Sequence, residues 1–113
     1  MCRLLIQAHA YINQRDTSGR TALMYASGFG KVKCVRLLIQ AHADINQIDT
    51  SGRTALMYAS GFGKDNCVRL LIDAHADINL EDKLGSTALM HAQWSEHNKC
   101  IKLLLKAQHN LNN

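Results

Sequence analysis

The chain is short of the side chains that usually dominate a core. Of its 113 residues only three are Tyr, two Phe and one Trp. Aliphatic and small residues held to one side of each element must therefore build the interior. No apolar run approaches the roughly 18 residues that a membrane span needs, so none is expected. There is no basic block. The net charge of +4 is modest and dispersed, too weak to argue for nucleic acid. No secretory leader pattern and no Asn-x-Ser/Thr sequon is present, which points to the cytoplasm. No Cys or His pair has zinc-ligand spacing. Gly28-Phe29-Gly30 reads as a helix terminator and not as a phosphate loop. No Ser/His/Asp set or carboxylate pair stands apart from recurring positions. The expectation is a protein with no catalytic residue, no cofactor and no metal.

What is present is repetition. Asp16 to Ile48 returns as Asp49 to Glu81, a unit of 33 residues in which five positions differ: Val32/Asp65, Lys33/Asn66, Gln40/Asp73, Gln47/Leu80 and Ile48/Glu81. A more diverged copy fills 82–113, and 1–15 matches the second half of the unit. The whole of 1–113 thus reads as one array, made of a half repeat followed by repeats 16–48, 49–81 and 82–113. A period of this length signals stacked units, each burying an apolar face against its neighbours. Such an array offers the same groups again and again along a line, which is a poor basis for a single catalytic centre.

Within the first full unit, Asp16-Thr-Ser-Gly19 has the residues of a tight turn. Thr21 suits the N-cap of a short helix over Ala22 to Gly28, with Leu23, Ala26 and Ser27 on one side and Tyr25, Gly28 and Phe29 on the other. A second helix is expected over Val32 to Ala41. Its polar strip of Lys33, Arg36 and Gln40 is narrow, so it must pack on several neighbours at once. Ala43 to Asp49 then leads out to the next turn as a projecting loop with little strand. Cys34, Cys67 and Cys100 recur at the repeat period inside CVRLLI-like runs. They are expected as buried, unpaired thiols in a reducing compartment, with Cys2 outside the series.

Helix, turn, antiparallel helix and projecting loop resemble the ankyrin repeat. The stretches that carry the resemblance are DTSGRTALMYA at 16–26 and 49–59, DKLGSTALMHA at 82–92, CVRLLI, and ADIN at 43–46 and 76–79. The resemblance covers the whole chain. It implies an all-α solenoid of stacked antiparallel helix pairs with hairpin-like loops.

Several residues depart from the family pattern. Thr-Ala-Leu-Met stands where Thr-Pro-Leu-His is usual, in a chain with no proline at all. His9, His42 and His75 occupy the usual glycine site after the second helix, with Gln108 in the last copy. Because that site favours φ > 0, some strain is expected. Glu96 similarly replaces the glycine at the bend between helices, and Trp94 replaces Gly28 and Gly61.

The resemblance also implies a concave binding face made by the loop tips and the outward side of each first helix. By alignment it carries Arg20, Tyr25 and Phe29; Arg53, Tyr58 and Phe62; and Lys83, His91 and Trp94. Five of the six aromatics fall there, Tyr11 being the exception. Tyr, Trp and Arg are the residue types that anchor interfaces. A second role stays open for the tyrosines, packing against a neighbouring loop, and for the phenylalanines, filling the helix bend. The expected function is a protein–protein interaction module whose partner is another protein, identity unread. Two alternatives stand beside it. One is a self-assembling or scaffolding array, natural or of consensus design. The other is the regulatory segment of a larger protein. Aliphatics at both ends (Met1, Leu4 and Leu5; Leu103, Leu104 and Leu105) suggest head-to-tail self-association.

Overall fold

The structure is a computed structural model and describes residues 12–112. Cys2, the aliphatics Met1, Leu4 and Leu5, and most of the half repeat expected at 1–15 lie outside the described residues, as do His9 and Tyr11.

Among the described residues six helices alternate between short and longer: α1 Ala22–Gly28, α2 Val32–Gln40, α3 Ala55–Gly61, α4 Asp65–Asp73, α5 Ala88–Trp94 and α6 Asn98–Asn112. The short helices α1, α3 and α5 begin alike. Thr21, Thr54 and Thr87 are extended, and each Oγ1 accepts a bond from the amide three residues on, at 3.3 Å. Each cap satisfies one donor that the first helical turn leaves unpaired. The short helices end where the chain enters the left-handed region. Gly30 and Gly63 take φ of 71° and 72° there, and Glu96 takes 59°. His42 and His75 close α2 and α4 at φ 66° and 67°, as their glycine-like position required. Gln108 does not: the last helix runs straight through it for 15 residues. No regular strand occurs among the described residues.

The helices stack in two layers. α1, α3 and α5 lie side by side in one, α2, α4 and α6 in the other, and each short helix packs on the long helix that follows it. Burial tracks position in the stack. In the central repeat Leu56 and Met57 are 1% and 2% exposed, whereas in the last Leu89 is half-buried and Met90 is 40% exposed. The residue types are the same, and only the number of neighbours differs. Val35 and Leu38, Val68 and Leu71, and Leu104 fill the second layer. Of the three terminal leucines, Leu104 therefore belongs to the core, Leu103 is half-buried and Leu105 is exposed.

The cysteine series divides. Cys67 and Cys100 are buried free thiols, and burial pushes both up, Cys100 to about 11 with the Asp65 carboxylate adding to the effect. They are protonated and unreactive at neutral pH. Cys34 departs from the expectation: it is half-buried and disulfide-bonded. The Asp65 influence on Cys100 shows that this position faces the preceding repeat. For Cys34 the preceding unit lies outside the described residues, so its surroundings need not repeat those of the other two. The cysteine pattern consequently no longer argues for a reducing compartment.

Candidate functional site

Each turn is organised around one carboxylate. Asp16 Oδ1 accepts the amides of Ser18 and Arg20, Asp49 Oδ1 those of Ser51 and Arg53, and Asp82 Oδ1 those of Leu84 and Ser86, all between 2.9 and 3.0 Å. The other oxygen reaches down to the short helix. Tyr25 donates its hydroxyl to Asp16 and Tyr58 to Asp49, while His91 Nε2 lies 3.0 Å from Asp82 Oδ2. The carboxyls stay below their usual range for this reason. At Asp16 the Tyr25 hydroxyl leads and the turn amides follow. At Asp49 and Asp82 burial opposes ionisation, yet the ring donors and turn amides together outweigh it. Burial and the Asp49 charge push the Tyr58 phenol up.

Successive turns are joined edge to edge. Thr50 N–H donates to Ser18 C=O and Lys83 N–H to Ser51 C=O, both at 3.0 Å. Gly19 lies so close to the next loop that a Cβ would stand 2.9 Å from the Thr50 nitrogen, in a φ of 76° that already favours glycine. The loop tips therefore form a continuous wall above the short helices.

The expected binding residues take these positions. Phe29 and Phe62 cap the ends of α1 and α3 and are 68% and 61% exposed, so they do not fill the helix bend. Tyr25 is 41% exposed and stacks on Phe29, centroids 6.5 Å apart. Tyr58 and His91 are half-buried. Trp94 is 68% exposed and meets the His91 ring edge-on at 5.7 Å. Lys83 is exposed at a loop tip, and Arg20 and Arg53 are partly exposed beneath the wall.

A groove of about 410 Å³ unites Arg20, Tyr25, Phe29, Tyr58 and Phe62 between α1 and α3. Of its remaining lining, Gly28 lies on the outward side that the sequence indicated, whereas Met24 and Lys64 escaped the sequence reading. Lys64 was legible in principle, since Lys31 and Lys64 recur at the repeat period beside the helix bend. Gly28 keeps the floor open, because a Cβ there would touch the Phe62 ring and Tyr58 Cβ at 3.6 Å. Arg53, Lys83, His91 and Trp94 lie beyond this groove, on the next repeat junction. Across the groove Arg20 Nε donates to the Tyr58 hydroxyl at 3.2 Å, its guanidinium carbon stands 5.9 Å from the Tyr58 ring centre, and Asp49 Oδ2 is 4.0 Å away.

No group of His, Cys, Asp and Glu suited to a metal ion occurs among the described residues. No helix among them is long and apolar enough to cross a membrane. No curated protein matches the chain at a significant level. A family profile described as ankyrin repeats (three copies) matches residues 1–82 and again 41–113, which together take in the whole chain. Helix pairs in two layers, carboxylate-centred turns and projecting loops agree with that match, and the chain belongs to the ankyrin repeat family.

Proposed function

We propose that the chain binds a partner protein along its concave face, with the groove between α1 and α3 as the centre of the contact. Ankyrin repeats are generally protein–protein interaction modules and typically carry no enzymatic activity. The observation that supports a concave contact here is the row of exposed rings, Tyr25, Phe29, Phe62 and Trp94, on one side of a protein with few aromatics. Exposed apolar surface gathered into one patch marks interaction sites, and Tyr, Trp and Arg carry a large share of interface energy.

The test is affinity selection with the full chain and two variants. Phe62→Ala should abolish or sharply weaken capture of specific partners, while Lys102→Ala on α6 should leave it unchanged. Equal capture by both would place the contact elsewhere. Met90, Leu105 and Leu111, exposed in the last repeat, favour a second reading in which that end packs on another copy. Sedimentation across a hundredfold concentration range separates the two: a rising sedimentation coefficient supports self-association, and a constant one removes it.

A further inference from the structure

The chemistry of the groove constrains what enters it. Its floor is aromatic and its two rims are basic. Arg20 lies on the loop side, and Arg53 and Lys83 follow it beyond the groove, on the next repeat junction. Lys64 stands on the opposite side at the helix bend, with Lys31 and His97 at the matching places in the repeats before and after it. Lys64 leans over the preceding bend, its aliphatic stem 2.9 Å from where a Gly30 Cβ would stand, so the cation is carried to the groove by packing.

The acids of the same face offset these cations only in part: Asp49 Oδ2 lies 4.0 Å from Arg20 Nε and Asp82 Oδ2 lies 4.0 Å from Arg53 Nε, while Lys31 and Lys64 make no ion pair among the described residues. Asp16 has both oxygens engaged by the turn amides and Tyr25, and Asp49 and Asp82 are buried as well as engaged. Asp65 follows Lys64 in sequence but opens α4 and acts on Cys100 in α6. The exposed carboxylates of the face are Asp16, whose oxygens are engaged, and Glu81 and Glu96 toward the other end. The Tyr25 and Tyr58 hydroxyls are also occupied, so the rings present carbon surface rather than polar tips.

We infer that this groove receives an acidic segment of another protein. In that segment a large apolar side chain is seated between Phe29 and Phe62, and within about three residues a carboxylate meets Arg20 or Lys64. The inference rests on the concave-face reading above and adds the chemistry of the partner. The spacing follows from geometry. Stacked helices lie about 8–10 Å apart, and an extended chain advances about 3.3 Å per residue. The orientation follows from charge: the acidic part lies over the first two repeats, and the Glu81 and Glu96 end takes neutral or basic residues. A single-stranded nucleic acid would also use rings and cations. It is disfavoured here because the cations are few and are interrupted by Glu81 and Glu96.

The experiment is selection of random twelve-residue displayed peptides on the immobilised full chain, run in parallel on Lys64→Glu and on the Arg20→Glu/Lys64→Glu double variant. Circular dichroism melts confirm that each is folded, and the single change serves if the double variant is not. The expected result is enrichment of Asp or Glu within three positions of Leu, Phe or Trp. Affinity of a selected peptide should fall about tenfold on Lys64→Glu and further as salt rises. Selected peptides that need Phe62 yet show no acidic bias and ignore charge reversal would overturn the inference while leaving the concave contact standing. Selected peptides indifferent to Phe62→Ala would overturn both. Tighter, steeply salt-dependent binding of a ten-residue thymidine oligonucleotide than of any selected peptide would replace the peptide with a nucleic acid.

Discussion

The two junctions between repeats start from almost the same sequence and end differently. Arg20 and Arg53 occupy the same position in near-identical units. Arg20 meets the Tyr58 hydroxyl at 3.2 Å, whereas the residue facing Arg53 is His91, whose Nε2 is directed to Asp82. Arg53 Nε lies 4.0 Å from Asp82 Oδ2, is shielded from solvent and has no hydrogen-bond partner. A buried donor without an acceptor costs about 1–3 kcal/mol. The difference therefore lies in what the following repeat supplies and not in the unit that carries the arginine.

The largest expected effect breaks the turn that both junctions share. Asp49→Ala removes the acceptor for two amides and the Tyr58 hydroxyl, in a loop bonded to neighbours on both sides. It should cost about 2–4 kcal/mol in urea unfolding. Asp82→Ala should cost clearly less, because its loop is bonded on one side and a Gly85 Cβ would meet only the Glu81 side chain. Equal losses would show that neighbouring loops contribute nothing.

Converting one junction into the other comes next. His91→Tyr should give Arg53 Nε the acceptor that Arg20 already has, raising stability by about 1 kcal/mol. Tyr58→His should lower it by a similar amount. Thermal melts that move the two variants in the same direction would refute this account of the arginines.

Acid should act on both junctions. The carboxyls of Asp49 and Asp82 sit below their ordinary value of 3.8 in the folded protein. A depressed folded value means that the stabilisation is complete above the unfolded value and is lost as pH falls through it toward the folded one. The denaturation midpoint should be flat from neutrality to about pH 5 and then decline. In Tyr58→Phe, which removes one of the bonds holding Asp49 ionised, the decline should be shallower.

The smallest effect is a control. Ser27 and Ser60 carry buried hydroxyls with no partner. Alanine at either site should be neutral or stabilising by up to about 1 kcal/mol, equally in the two repeats because this position does not depend on which ring lies across the junction. A loss of stability on calorimetry would reveal a hydroxyl bond.

Much of the fold was legible in particular residues. Thr21, Thr54 and Thr87 marked the helix starts. The bend glycines marked the helix ends, and the His42 and His75 sites required φ > 0 because of what normally stands there. The continuation of α6 through Gln108 and the disulfide-bonded Cys34 were not legible, because repeat alignment assumes that every copy has the same surroundings. In the candidate site, the ring positions followed from the family resemblance, with helix periodicity placing Tyr25 and Phe29 on the outward side. Lys64 and Met24 entered the groove only through packing between repeats.

The sequence by itself determined the period, the capped short helices, the carboxylate at the head of each turn and the side of each helix that faces inward. These depend on a residue and its neighbours within about one helical turn. Only the tertiary structure decided that Met57 is buried while Met90 is exposed, that Phe29 and Phe62 border an open groove, and that Arg20 is hydrogen-bonded across its junction while Arg53 is not. The physical reason is that burial and pairing belong to two repeats at once. Copies of one unit acquire different environments as soon as the chain places different neighbours beside them.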